Sequence, residues 1–551
     1  MHKLLAATAL LALATRLPLF AQDGAGLESN IPGAGFGTSD ASPQPNASIP
    51  TIHVYSRETV IDVLATDDKG QPVTGLTRDD FTIFENNHPQ PIRSFREYSI
   101  SGPPPAPRQL PPTYTNAQAL PATGPVQIFY FIMPTLIPAL KPQPVIELGN
   151  NITRAKEYIA DYLRTMPKGT EVAIFSFLPG EGLHLIQGFT TDGAHAAAEM
   201  DAMVVLRVRT ANPGPSDPIA AADQIAAYVA GIHGRKNLIW IATAPSMITR
   251  DGGYAESQGD MSQIHRRMDT YDRFIQEEIA IYPFNPLGVH PIDPPATPIT
   301  ESQNLLSSEE VAEQTGGTAI HDTNDFKDAV AKIVDQSSDF YTISYVPTRP
   351  NADGHFHPIT IKVSRPGVHL SYRTGYNDEQ PRPPDPVLNE RMKQGPMQFG
   401  ALPTTQLLFD LEVTPTAPGA KASPAPVKIT DKHHVGSAKD QSYDAVFHFD
   451  PTQIAFAETA DGKRTADLEF DLGAYSPYGD LGPVRSQTIK VALSPAQYDQ
   501  FMRTTFSFTL PIPLPHGHII LRAGLFDSVA NKSGTIEVPL NIPKSAAPPS
   551  K

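Results

Sequence analysis

The 551-residue chain contains no cysteine. It therefore has no disulfide, no thiol nucleophile and no thiolate metal ligand. Charge is also sparse. Only 18% of residues are charged, the net charge is −15, and no run of Lys or Arg stands out. That pattern lacks the electrostatic footprint of a nucleic-acid-binding protein. Beyond the N-terminus no window holds the roughly 18 uninterrupted apolar residues of a membrane-spanning helix, so no transmembrane span is expected. Enzyme signatures are missing too. There is no Gly-x-Ser-x-Gly elbow, no His-Glu-x-x-His and no phosphate loop. A hydrolase whose triad is scattered along the chain escapes such a search and stays open as a reading.

Proline is plentiful, at 57 residues, and hydrophobic residues make up 40%. A chain of this length exceeds one compact core, and the composition points to several β-rich domains joined by stiff linkers. The start, "MHKLLAATALLALATRLPLFAQ", has a basic residue, Lys3, an apolar run from Leu4 to Ala14, then small residues up to Ala21. It reads as a secretory signal over residues 1–21, with cleavage after Ala21. No Cys follows it to carry a lipid anchor. The reading is an exported bacterial protein, periplasmic or secreted.

Composition and periodicity divide the rest. Residues 22–50 are a Gly/Ser/Pro linker, and residues 51–101 alternate as a small β unit around the turns "DDKG" and "ENNHPQ". A Pro-rich linker is expected over 102–124. Residues 125–374 change character. Strand candidates Val126–Ile132, Glu171–Phe177, Asn237–Ala242 and Ile279–Phe284 alternate with helix candidates. The helices are expected over Val145–Met166, Asp192–Met203, Pro218–Ile232, Gln263–Ile279, Leu305–Thr315 and Asn324–Ser337. Such alternation predicts a mostly parallel, doubly wound α/β sheet, with residues 340–374 as its edge strands. A linker over 375–400, a β-sandwich of the immunoglobulin or fibronectin type over 401–543 and a tail over 544–551 complete the plan.

An ordered series of segments resembles the von Willebrand factor A-related proteins typical of acidobacteria. These are "VTGLTRDDFTIFENNHPQPIRSF", "MPKGTEVAIFSF", "LIQGFTTD", "GRKNLIWIATAP", "VAEQTGGTAIHDTNDFKDAVAKI" and "FYTISYVPT" with "GHFHPITIKVSRPGVHLSYRTGY". The resemblance spans most of residues 50–375 and implies an A-type α/β domain. Many A domains hold a divalent cation at the strand carboxyl ends. They use an Asp-x-Ser-x-Ser loop, a later Thr and a strand-ending Asp, because a hard cation takes hard oxygen ligands. Here "FIMPTLIPAL" offers only Thr135, and Ala242, Thr243 and Ala244 stand where the aspartate is expected. The middle loop keeps Thr210, Ser216 and Asp217. One carboxylate among hydroxyls and apolar groups holds a divalent ion poorly. The implied site is a degenerate metal-ion-dependent adhesion site, with no metal ligands, no cofactor and no catalytic residues.

The expected function is therefore a protein that binds a protein or cell-surface partner in the envelope. Its candidate face carries Thr135, Ser216, Asp217 and Thr243. A purely structural envelope protein is the second reading. Asp217 also suits a helix cap before Pro218, as do Asp192 and Asn324 before their helices. Two His-x-His pairs, His355/His357 and His516/His518, read as solvent-facing strand positions. Trp240, the single tryptophan, reads as core, and Tyr341, Tyr345 and Tyr372 read as sheet packing.

Overall fold

The computed structural model describes residues 59–98, 113–117, 120–121, 125–133, 135–136, 143–205, 207–208, 217–242, 270–286, 308–320, 325–337, 339–348, 355–377, 395–416, 428–429, 441–459 and 461–544. They form a mixed α/β protein whose sheets are mostly antiparallel.

The one extended parallel sheet among them has the order Ile279–Phe284, Lys236–Ile241, Val126–Ile132, Glu171–Leu178, Gly182–Thr190. The first four run parallel and the last is an antiparallel edge. Ile320 adds a parallel bridge beyond Phe284. The two innermost strands, "VQIFYFI" and "KNLIWI", are buried almost throughout. That is the physical meaning of an unbroken apolar run: both faces of a parallel sheet are covered. Helices Gln143–Thr165, Gly193–Ala202 and Phe326–Gln336 cover one face, through Ile152, Ile159, Leu163, Met200, Val330 and Ile333. Helix Pro218–Val229 and helical residues 270–276 and 308–315 cover the other, through Ile219, Ile225, Val229, Phe274 and Val311. The strand and helix candidates fall close to these elements. The cap expected at Asn324 is Asp325 instead, whose carboxylate accepts from Asp328 N at 3.1 Å, while Asn324 lies outside the described residues.

The N-terminal β unit differs from expectation. Strands Thr59–Thr66 and Ile92–Tyr98 flank Phe340–Tyr345, and His369–Ser371 completes that sheet. A second sheet sets Phe81–Glu85 against Phe356–Val363, with His88–Gln90 and Gly375–Asn377 at its edges. So 340–377 are not edge strands of the α/β segment. They pair with 59–98, and the whole α/β unit is inserted between the two halves of a small β unit. Its core joins Ile61, Val63, Phe81 and Ile83 to Tyr341, Ile343, Ile359 and Ile361. The turn between Phe81–Glu85 and His88–Gln90 uses Asn86 and Asn87 at φ 50 and 63. Two left-handed residues in succession give the twist that a two-residue hairpin requires.

The C-terminal unit packs two sheets face to face. Phe409–Pro415, Gln441–Phe449 and Phe506–Leu514 form one, and Arg464–Tyr475, Leu481–Leu493, Gly517–Asp527 and Lys532–Ile542 form the other. Phe447 and Phe470 meet edge to face across the interior at 5.2 Å. The expected linker 102–124 is not wholly a linker, because Thr113–Thr115 pairs with Phe409–Pro415 as an edge strand. Asn116 fixes it there. Its buried amide donates to Thr404 O and Leu407 O, at 3.1 and 2.8 Å, and accepts from Phe409 N at 3.0 Å. Such a fully bonded buried amide is costly to remove. The leader expected over 1–21, the linker expected over 22–50 and the expected tail beyond residue 544 lie outside the described residues.

Candidate functional site

In an open parallel sheet, ligands sit at the carboxyl ends of the strands, where the strand order reverses. Here the chain enters at Val126–Ile132, builds outward through Glu171–Leu178, then returns to the opposite side at Lys236–Ile241. The reversal lies between Val126–Ile132 and Lys236–Ile241.

Near the carboxyl end of that boundary stand Tyr130 and Trp240, register partners on the two strands. Their rings meet edge to face at 5.0 Å. Both are buried, and Trp240 Nε1 has no hydrogen-bond partner among the described residues. Tyr130 donates its hydroxyl to Pro218 O at 2.8 Å. Burial, with a smaller contribution from the Asp217 charge, pushes that hydroxyl well above the ordinary tyrosine value. It stays protonated and works as a donor that pins the first turn of helix Pro218–Val229.

Asp217 caps the same helix. Its Oδ1 accepts from Ile219 N at 2.9 Å, and its carbonyl accepts from Ala221 N at 3.3 Å. The "SDP" order follows local chemistry. A carboxylate satisfies an orphan N–H, and proline at the first position has none to satisfy. Thr135 lies in the short strand Thr135–Leu136, which pairs in parallel with Arg207–Val208. Met133 is buried, and its N–H donates to Phe177 O at 2.9 Å. Met133 and the strand Thr135–Leu136 are thus each bonded to neighbouring backbone. Ser216 and Thr243 lie outside the described residues. Of the four expected residues, the described structure places Thr135 and Asp217 on this end of the sheet. Tyr130 was not singled out in the sequence, although an aromatic two residues from a strand's last position, in a chain with a lone tryptophan on the neighbouring strand, was its available signal.

The far end of helix Pro218–Val229 meets the C-terminal unit. Thr405 N donates to Ala227 O at 2.9 Å, Thr405 Oγ1 donates to Tyr228 O at 2.7 Å, and Gly231 N donates to Thr405 Oγ1 at 2.8 Å. Gly231 sits close against this contact: an added Cβ would lie 2.8 Å from Leu408 Cδ2 and 3.1 Å from Thr405 Cβ, so those side chains would have to shift.

Of the histidine pairs, His516 and His518 are exposed, as expected. His357 is not. It is buried, stacks on Tyr376 at 5.3 Å and lies 2.8 Å from Asn86 Nδ2 and 3.7 Å from Glu85. Glu85 also accepts from Tyr345 and Tyr376, at 2.5 and 3.2 Å. The inserted topology explains the difference, because the strand carrying His357 is covered by elements distant in sequence. Tyr341 and Tyr345 pack in the core of the β unit and Trp240 in that of the α/β unit. Among the described residues no three His, Asp or Glu side chains gather as a metal-ligand set. No described helix is long and apolar enough to cross a membrane.

No family model and no curated protein matches the chain. Solved structures do. An aerotolerance-related membrane protein from Bacteroides fragilis is 14% identical, covering 38% of this chain and 98% of its own, with a TM-score of 0.24. The conserved hypothetical protein BatB from Bacteroides thetaiotaomicron is 11% identical, with coverage of 38% and 98% and a TM-score of 0.24. The vWF domain of the type V pili tip protein Mfa5 from Porphyromonas gingivalis is 12% identical, with coverage of 38% and 95% and a TM-score of 0.25.

Proposed function

We propose that this is an exported, non-enzymatic binding protein. Its inserted α/β unit, of the von Willebrand factor A type, holds a protein or cell-surface partner at the strand carboxyl ends. The observation that carries the reading is the reversal of strand order at the Tyr130–Trp240 pair, with the capped N-terminus of helix Pro218–Val229 beside it. That is the place where open α/β sheets bind ligands. The residue types after the two central strands support binding without a bridging cation. Met133 follows the first, where a carboxylate would be needed, and Ala242 follows the other. The anchoring of Thr405 at the far end of the same helix supports a role in which the C-terminal sandwich presents this face at a fixed angle.

The test is capture of envelope proteins by the immobilised full chain, with Mg²⁺ and with EDTA. A partner retained equally in both, and reduced by Asp217→Ala combined with Thr135→Ala, is the expected result. Loss of capture in EDTA, or a stoichiometric calorimetric signal with Mg²⁺, overturns the cation-free reading. Capture unchanged by the double substitution overturns the assigned face.

A further inference from the structure

The opposite, amino end of the parallel sheet carries a charged cluster for which the binding role has no use. It lies where the β unit meets the inserted α/β unit. Strand Thr59–Thr66 is buried on both faces. Ile61 and Val63 enter the core of the β unit, while Asp62 points the other way. Asp62 is itself buried. Its Oδ1 accepts from Thr342 Oγ1 at 2.6 Å, on the neighbouring strand Phe340–Tyr345, and its Oδ2 has no hydrogen-bond partner among the described residues.

Arg235 and Lys236, entering strand Lys236–Ile241, act on Asp62 from the α/β unit. Glu278 does so from the turn before Ile279–Phe284, with Glu277 beside it acting on Lys236. Arg373 enters from the loop after His369–Ser371. Asp62, Arg235, Glu278 and Arg373 line one small cavity of about 20 Å³, room for about one water molecule.

The cations direct their bonds elsewhere. Arg235 donates to Asn237 Oδ1 and Tyr282 OH, both at 3.0 Å, and to Gly316 O at 2.5 Å. Lys236 Nζ donates to Gly234 O at 2.9 Å. Arg373 ties the two units together by donating to Val60 O at 2.5 Å and Ile275 O at 3.2 Å. The Asp62 carboxylate is therefore left with one hydrogen bond, little water and an acidic neighbour. Burial first, and the Glu278 charge second, push it up to about 7, against the opposing pull of Thr342, Arg235 and Lys236. Glu278 has a left-handed backbone, φ 55, rare for a residue with a side chain. The α/β unit itself holds it there, with Lys236 N donating to Glu278 O at 3.1 Å.

We propose that this joint is a proton-operated clasp, in which protonated Asp62 seats the β unit on the amino ends of the parallel strands and loss of the proton loosens the seat. Opening restores solvent to Asp62 and returns it to its ordinary value of 3.8. The closed form therefore binds the proton more tightly. The clasp is strongest below about 4 and weakens by up to about ten-fold per pH unit until about 7, beyond which it changes no further. Chain connections run from the β unit into both ends of the inserted unit, so loosening produces a hinge and not separation.

The absence of cysteine makes the test direct. Thr82→Cys on the β unit and Ala198→Cys on helix Gly193–Ala202 place two spin labels at exposed positions of the full chain. One narrow distance distribution is expected at pH 5 and a broader or longer one at pH 8. Asp62→Asn is expected to keep the narrow distribution at both. Glu278→Gln, which removes the repelling charge, is expected to move the change to lower pH and serves as the test should the Asp62 variant not fold. A wild-type distribution identical at pH 5 and pH 8 overturns the clasp. So does an Asp62→Asn protein that broadens with pH as the wild type does.

Discussion

The two ends of the parallel sheet solve opposite problems. At the amino end charges are buried and bonded: Arg235 bridges Asn237, Tyr282 and Gly316, while Asn237 Nδ2 donates to Gln127 Oε1 at 3.2 Å and Ser337 Oγ at 2.8 Å. At the carboxyl end the described residues present an aromatic pair, and Asp217 serves the helix beside it. The difference teaches where the polar groups went. An A-type domain with an ion concentrates carboxylates and hydroxyls where the partner binds. In this chain a dense polar network lies instead inside the α/β unit at its amino end, beside the seam, which Arg373 and Ser371 cross by donating to Ile275 O and Gly316 O. Buried polar groups confer geometric specificity when fully bonded, as Arg235 and Asn237 are, and Asp62 beside them is the exception.

The comparison can be broken at the amino end first. Arg235→Ala removes three hydrogen bonds and leaves buried acceptors and the Asp62–Glu278 pair uncompensated. The expected loss is about 3 kcal/mol or more in urea-induced unfolding. A loss below about 1 kcal/mol would mean that the buried network is not what holds the amino end of the sheet together. Thr405→Val acts at the far end of helix Pro218–Val229, at the contact with the C-terminal unit. It removes a hydroxyl that bonds Tyr228 O and Gly231 N, and about 1–3 kcal/mol is expected from the unsatisfied groups. Its sharper readout is cooperativity: the α/β and C-terminal units are expected to unfold in one calorimetric transition in the wild type and in two in the variant.

The carboxyl end should be more forgiving. Asp217→Ala loses a cap worth about 1 kcal/mol, while Asp217→Asn keeps most of it. If both variants weaken partner capture alike, Asp217 touches the partner; if only alanine does, it acts through the helix. Tyr130→Phe removes the bond to Pro218 O and should cost about 1 kcal/mol with no change in the pH profile, because that hydroxyl titrates far above neutrality. A pH-dependent effect of Tyr130→Phe between pH 5 and 8 would contradict this account.

Much of the fold was legible in the sequence. "VQIFYFI" and "NLIWI" are too uniformly apolar for a half-exposed strand, which marks the centre of a parallel sheet. The Asn86–Asn87 pair announces a tight hairpin, and "SDP" announces a capped helix. What stayed hidden is pairing over long distance. "FYTISY" and "FHPITIKV" alternate as well for an edge strand of the α/β unit as for a strand of the β unit. Only the register of Ile343 against Ile61 and of Ile361 against Ile83 decides between them. Thr113–Thr115 is three residues in a proline-rich stretch, with no periodicity to read. Its place in the C-terminal sheet depends on Asn116 finding three backbone groups of residues 404–409.

The candidate site divides the same way. The amino acids alone determined that no carboxylate directly follows either central strand, where Met133 and Ala242 stand. They also determined the cap at Asp217, because capping is local to one turn of helix. Tertiary structure decided the rest. It buried His357 beneath strands from both ends of the β unit. It also set Asp62, on a strand that looks ordinary, against Arg235, Lys236 and Glu278 more than 170 positions away. The behaviour of an ionisable group depends on what surrounds it in space, and that surrounding exists only once the inserted unit is seated.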